Sequence, residues 1–151
     1  MIDRTEANGG FREENSIVMK SGQVIQGGTG PMPTIINGEQ VATATLPNLP
    51  AGSTNANVEA TIHSHPTQVQ IENNIAYPQS ATLPSPTDRN TFKNYGTNII
   101  VGRLGQSTVS QNPNGSYAVS HQPLGAVIYN SNTQPQIQLT QKVIQKIIKM
   151  N

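Results

Sequence analysis

The stretch from Glu59 to Asn90, EATIHSHPTQVQIENNIAYPQSATLPSPTDRN, constrains this chain most. Two of the protein's three histidines, His63 and His65, stand here two positions apart. Successive residues of a β-strand alternate faces, so both rings would project from one face of a strand running from Val58 to His65. Pro66 would end that strand or lie at its edge. Further on, Ser85-Pro86-Thr87-Asp88 reads as a helix start. Ser85 can cap the first turn, Pro86 suits the first helical position, and Asp88 falls at the third.

Two imidazoles and a carboxylate, His63, His65 and Asp88, form a three-ligand set for a catalytic Zn2+ that keeps its fourth position open. The chain has no Cys, which removes disulfides and thiolate sites, so a metal here must be held by imidazole and carboxylate.

At 151 residues the chain is read as a single domain over 1–151, long enough to bury a core. It could also be one module, C-terminal in a longer polypeptide. The net charge of +1 gives no electrostatic case for binding nucleic acid or an anionic membrane. Without Trp and with only two Phe, base-stacking platforms are not expected either. No signal peptide or membrane span is legible, which leaves the location open.

Along the chain, residues 1–10 are polar and end in a turn signal, Asn8-Gly9-Gly10, so a mobile start is expected. Ser16–Lys20 and Gln23–Ile25 flank a Gly-containing turn and predict a hairpin. Gly27, Gly28 and Gly30 lack the Lys-Ser/Thr and the helix of a phosphate loop and read as a plain loop. Asn37-Gly38 predicts a second hairpin, because both central residues of its turn need positive φ. Residues 46–56 and 105–116 read as loops, and 67–84 as a long irregular loop bordering the site. A short helix follows Ser85, with Phe92 and Tyr95 facing the core. Strands are expected at Thr97–Gly102, Tyr117–His121 and Ala126–Tyr129. Leu139, Val143, Ile144, Ile147 and Ile148 form one apolar stripe, predicting a C-terminal helix packed on a sheet. About seven short strands and two helices make a mixed α and β chain, with a mostly antiparallel sheet and helices packed on it.

Hydrolysis at such a metal needs a general base and a group to steady the oxyanion. Ser85, at a helix start, can supply a hydroxyl. Among carboxylates, Asp3 and Glu6 fall in the polar start, Glu39 in a hairpin tip and Glu72 in the long loop. Glu59 shares a strand face with the histidines but lies about 13 Å from His63 at ~3.3 Å per residue. Glu13 and Glu14, just before the first strand, are the best placed. His121 reads as a surface or core-edge histidine.

The combination of an upstream Glu, His63-Ser64-His65-Pro66 and Ser85-x-x-Asp88 resembles the JAB/MPN metalloprotease family and its JAMM signature. The resemblance runs from about Glu13 to Gly102. It implies a cytidine-deaminase-like α/β fold, one zinc on His63, His65 and Asp88, and hydrolysis of peptide or isopeptide bonds. In that pattern Glu13 or Glu14 activates the water and Ser85 steadies the tetrahedral intermediate. The 22 residues between His65 and Asp88 exceed the family's usual spacing. The long insertion and short chain are most similar to the JAB-like domains of bacterial polymorphic toxins, including those of Rhs type. In those relatives Glu is followed by any residue, then Ser and an apolar run. Glu14-Asn15-Ser16-Ile17 matches this, giving Glu14 a slight preference over Glu13. The implied partner is a peptide or protein substrate, ubiquitin-like tails included. The alternatives are a non-catalytic JAB-like interaction or scaffold module, and a zinc hydrolase of non-peptide substrates. Nucleotide deaminases of related fold use Cys ligands, which this chain lacks.

Overall fold

The computed structural model describes residues 1–150. It shows an α+β protein built on a mixed sheet of six strands, with three small hairpins and three α-helices. The strands are β1 (Asn15–Met19), β2 (Val24–Gln26), β3 (Thr34–Ile36), β4 (Glu39–Val41), β5 (Val58–Ser64), β6 (Gln70–Glu72), β7 (Ile75–Tyr77), β8 (Thr97–Arg103), β9 (Thr108–Gln111), β10 (Tyr117–Ser120), β11 (Leu124–Asn130) and β12 (Pro135–Thr140). The helices are α1 (Ile2–Ala7), α2 (Pro86–Phe92) and α3 (Gln141–Lys149). The main sheet has the order β12-β11-β8-β5-β1-β2. Its neighbours are antiparallel except β5 and β8, which run parallel. A parallel pair needs a crossover, and α2 lies within it. The mostly antiparallel sheet expected from the sequence is therefore present, with one parallel pair at its centre.

Register decides which residues share a face. Asn15 pairs with His63, His63 with Ile100, and Ile100 with Val127. One residue row away on the same face, Ile17 pairs with Thr61, Thr61 with Asn98, and Asn98 with Tyr129. On this face α2 seats Phe92 against Ile100, Val127, Tyr129 and Ala81 in the main core cluster. Asn98 and Thr61 are fully buried polar residues, and they satisfy each other through a 2.6 Å hydrogen bond from Thr61 Oγ1 to Asn98 Oδ1.

The other face of β5 and β1 carries Ser64, Ser16 and, just before β1, Glu14. Helix α1 sits against it. Ser64 Oγ accepts hydrogen bonds from Thr5 Oγ1 at 2.7 Å and from the Glu14 amide at 2.9 Å. The Glu14 carboxylate accepts from Arg4, from Asn8 Nδ2 at 2.8 Å and from Thr29 Oγ1 at 2.7 Å. Arg4 also donates to the Gly27 carbonyl at 3.2 Å. The start of the chain, expected to be mobile, is thus a helix held by a polar network.

Several elements depart from the sequence reading. The irregular loop expected at 67–84 contains the hairpin β6–β7, whose turn residues Asn73 and Asn74 both have positive φ, at 51° and 63°. Asn tolerates that region better than other non-Gly residues, so Asn73-Asn74 acts as Asn37-Gly38 does in β3–β4. The loop expected at 105–116 contains β9, paired with β10. β12 was not legible: it is an edge strand of mostly exposed residues, without a buried face to set up alternation. Leu139, assigned to the terminal helix stripe, belongs to β12, and α3 begins at Gln141 with Thr140 as its cap. No residue of α3 is buried; Val143, Ile147 and Ile148 are exposed, so the stripe is not a core face of this chain. The glycines at 27 and 30 mark close approaches. A Cβ on Gly27 would meet Asn15 Oδ1 at 1.8 Å, and one on Gly30 would meet the Thr43 carbonyl oxygen at 1.9 Å. Residues 27–33 form neither helix nor strand and lead into β3, as the plain-loop reading expects.

The network on the α1 face generates a stability prediction. Glu14→Ala leaves the Arg4 guanidinium, Asn8 and Thr29 without their shared acceptor and should cost about 1–3 kcal/mol. Thermal or denaturant unfolding would show this as a lower midpoint. An unchanged midpoint would mean the network holds nothing.

Candidate metal centre

Three ligand types meet on the α2 face. β5 delivers His63 and, one residue past its end, His65; the first turn of α2 delivers Asp88. His63 Nε2 lies 3.1 Å from Asp88 Oδ1, and His65 Nε2 lies 3.1 Å from Asp88 Oδ2. The ligand atoms of the three residues all fall within 4.8 Å of one another, close enough to share one metal ion. Each residue is fixed from behind. Asp88 Oδ2 accepts from the Ser85 amide at 2.7 Å, and Ser85 Oγ accepts from the Asp88 amide at 3.1 Å. That reciprocal pair is a capping box, so the residues that start the helix also aim the carboxylate. His65 Nδ1 is 2.8 Å from the Ser80 carbonyl oxygen, which can only accept. The proton therefore sits on Nδ1 and the Nε2 lone pair is left facing the cluster, the usual arrangement behind a metal-ligating imidazole. His63 packs its ring against Phe92, with centroids 6.2 Å apart, and Phe92 packs on Tyr129 at 5.6 Å.

The chemistry of this donor set fits a metal. His63 Nε2 is buried and, despite its closeness to Asp88 Oδ1, has no hydrogen-bond partner of acceptable geometry. A buried polar atom without a partner is costly unless something else satisfies it. At His65, a neutral Nε2 and an ionised Asp88 oxygen 3.1 Å away would present lone pairs to each other. Only a cation between them, a proton or a metal ion, makes that approach favourable. Accordingly, though burial alone would lower it, the His65 pKa is raised by the Asp88 carboxylate and Glu13. Burial alone would raise Asp88; the two imidazoles close against its carboxylate hold it far below the ordinary carboxylate range. Both directions describe a site demanding positive charge between its members.

The two upstream glutamates part company. The Glu13 carboxylate lines the same cavity as His63, Asp88 and Ser85. Its side chain makes no hydrogen bond among the described residues, while its backbone carbonyl accepts from Gly30 at 2.8 Å. Burial raises its pKa, against the pull of His65 and His63 and with the push of Asp88. Glu14 lies on the opposite face, fully engaged with Arg4, Asn8 and Thr29. Burial opposes its ionisation, but those three donors win and its pKa is lowered. The placement thus favours Glu13, where the spacing read from the sequence leaned to Glu14.

Ser85 lines the cavity with its hydroxyl oxygen already accepting from Asp88, which leaves the hydroxyl proton free to point at a ligand. Capping and catalytic roles are compatible. The other carboxylates and histidine stay outside: Glu59 and Glu72 are exposed, Glu6 accepts from Thr67 Oγ1 at 2.8 Å, and His121 sits near Ser107. Ser80, whose carbonyl sets the tautomer of His65, carried no signal in the sequence. It lies in the insertion and acts through its backbone.

No helix among the described residues is long and apolar enough to cross a membrane. Comparison of the chain with protein-family models, with curated proteins and with solved structures finds no match.

Proposed function

We propose that the chain is a zinc-dependent hydrolase of peptide or isopeptide bonds, with a JAB/MPN-type, cytidine-deaminase-like fold. The reading is carried by one observation: His63, His65 and Asp88 converge within 4.8 Å, and a buried, otherwise unengaged Glu13 lines both the cavity that holds His63 and Asp88 and the adjoining one that holds His65. The mixed sheet, with α2 carrying Asp88 in the crossover between the parallel strands β5 and β8, supports the fold assignment.

Zinc held by these three residues would supply a Lewis acid for the scissile carbonyl and ease the ionisation of an attacking water. Glu13 takes the proton from that water and passes it to the leaving amine. Its raised pKa suits the first half of the task, because a carboxylate with a higher pKa is a stronger base. The Ser85 hydroxyl donates to the carbonyl oxygen as that oxygen becomes negative. Phe92, fully buried beside His63, excludes water from one side of the imidazole. The substrate in this reading is a peptide or protein, and a ubiquitin-like tail is one form it could take.

Protein prepared without chelator should carry about one zinc per chain, and His63→Ala or Asp88→Ala should abolish this. Elemental analysis and zinc titration decide it; a chain that neither carries nor takes up zinc overturns the reading. Binding requires neutral imidazoles, and the His65 pKa is raised. Zinc affinity should therefore begin to fall, as pH is lowered, at a higher pH than for an ordinary histidine site, and titration across pH would show it. Finally, Glu13→Gln should keep the zinc and the fold but lower kcat by about 10²–10⁴-fold. Glu14→Gln should retain most activity at temperatures where it is folded. The reverse pattern would return the base to Glu14.

A further inference from the structure

Two cavities adjoin the metal cluster, of about 430 and 600 Å³. The first holds His63 and Asp88 and is walled by Ala44, Leu46, Thr91 and Phe92. The second holds His65 and is walled by Tyr77, Pro78, Leu83 and Pro84. Four residues line both: Glu13, Ala42, Ser85 and Thr87. The base and the serine of the proposed reaction therefore stand where the cavities meet. The reacting centre therefore has a cavity on either side.

The charges in these cavities are one-sided. Glu13 and Asp88 line the first cavity, Glu13 and Glu39 the second, and no Lys or Arg lines either. An enzyme that removes residues from a C-terminus needs a cation for the terminal carboxylate, since an unpaired charge is expensive in a cleft. None is present. An enzyme that works from the N-terminus needs a carboxylate reserved for the ammonium group. Here Asp88 is committed to the histidines and Glu13 to the base role, and Glu39 is exposed at a hairpin turn. The walls are otherwise uncharged: small, apolar and hydroxyl side chains, with Gln40, Gln79 and Gln106 in the second cavity.

We propose that the site cleaves within an extended peptide segment whose side chains on both sides of the scissile bond are uncharged, and that it neither needs nor recognises a chain terminus. The inference rests on the hydrolase reading given above. The segment enters along one cavity and leaves along the other. Zinc would offset Asp88 at the reacting centre, but acidic side chains lying along the cavities approach Glu13 and Glu39, where no Lys or Arg compensates them. Such like-charge encounters are rejected.

The test uses the zinc-loaded protein and internally quenched peptides of Ala, Ser, Thr and Leu, with termini either free or blocked by acetyl and amide groups. A second set carries Asp on both sides of the expected cleavage point. Blocked and free neutral peptides should be cleaved at rates within about threefold of each other, and the Asp-flanked set about tenfold or more slower in kcat/KM. Thr87 is exposed and lines both cavities. Thr87→Lys should therefore narrow the discrimination against the Asp-flanked set. Cleavage of free-ended peptides alone, one residue at a time, overturns the proposal and leaves the hydrolase reading intact, as does equal cleavage of the Asp-flanked set. If zinc-loaded protein cleaves neither blocked nor free peptides, the hydrolase reading fails and this proposal with it.

Discussion

The structure depends on strand β5 being held from both sides. Its alternation sends His63 to one face of the sheet and Ser64 to the other, and each is tied to a different helix. On one face Asp88 of α2 reaches both imidazoles, and Phe92 of the same helix fills the core beside His63. On the other face Ser64 accepts from Thr5 of α1 and from the Glu14 amide. A metal site tolerates little play in its ligands, and loss of the supporting contacts weakens metal binding. Here the support is distributed. The carbonyl of Ser80 fixes one ring, the capping box of Ser85 fixes the carboxylate, and the parallel pairing of β5 with β8 fixes the strand.

The electrostatic character of the site follows from that geometry. Asp88 is pulled toward ionisation by two imidazoles, and His65 toward protonation by carboxylates, so the pair stores a demand for a cation. Glu13 is pushed the other way, because burial is not offset by any hydrogen-bond donor. Three carboxylates of the same small chain thus behave differently for local reasons. Asp88 is held by histidines, Glu14 by Arg4 and two neutral donors, and Glu13 by no hydrogen-bond donor, so that burial outweighs the pull of the two imidazoles. The division suits a hydrolase, in which one acid holds a ligand position and another moves protons.

The insertion between His65 and Asp88 is also structural material. Its hairpin β6–β7 is joined to β3–β4 by Gln40 Nε2 donating to Gln70 Oε1 at 2.6 Å, and to β10 by Tyr117 Oη donating to Asn74 Oδ1 at 2.8 Å. Its return leg, fully buried at Ser80 and Ala81, supplies the acceptor behind His65 and the acceptor for Tyr129 Oη. The extra residues therefore build part of the second cavity and brace the site, and their polar composition concealed this. An edge strand such as β12, or a helix such as α3 whose apolar side chains stay exposed, is hard to read for a related reason. Periodicity reports burial, and these elements bury little.

What the sequence by itself determined is local. Alternation fixed that His63 and His65 share a face. Ser85-Pro86-Thr87-Asp88 fixed a helix start whose cap also aims a carboxylate, and Asn37-Gly38 fixed a turn with two positive φ angles, observed at 52° and 79°. Each depends only on residues within one turn of chain, where sterics and hydrogen bonding act without help. The choice between Glu13 and Glu14 was of another kind. Both precede β1, and alternation says only that they point apart. Which one meets the His63-His65-Asp88 cluster depends on the pairing of Asn15 with His63, a contact between residues 48 positions apart in sequence, and on α1 covering the other face with an arginine for Glu14. A shift of one residue in that register would exchange the two carboxylates. Register is set by packing across the whole sheet, so only the tertiary structure could decide it.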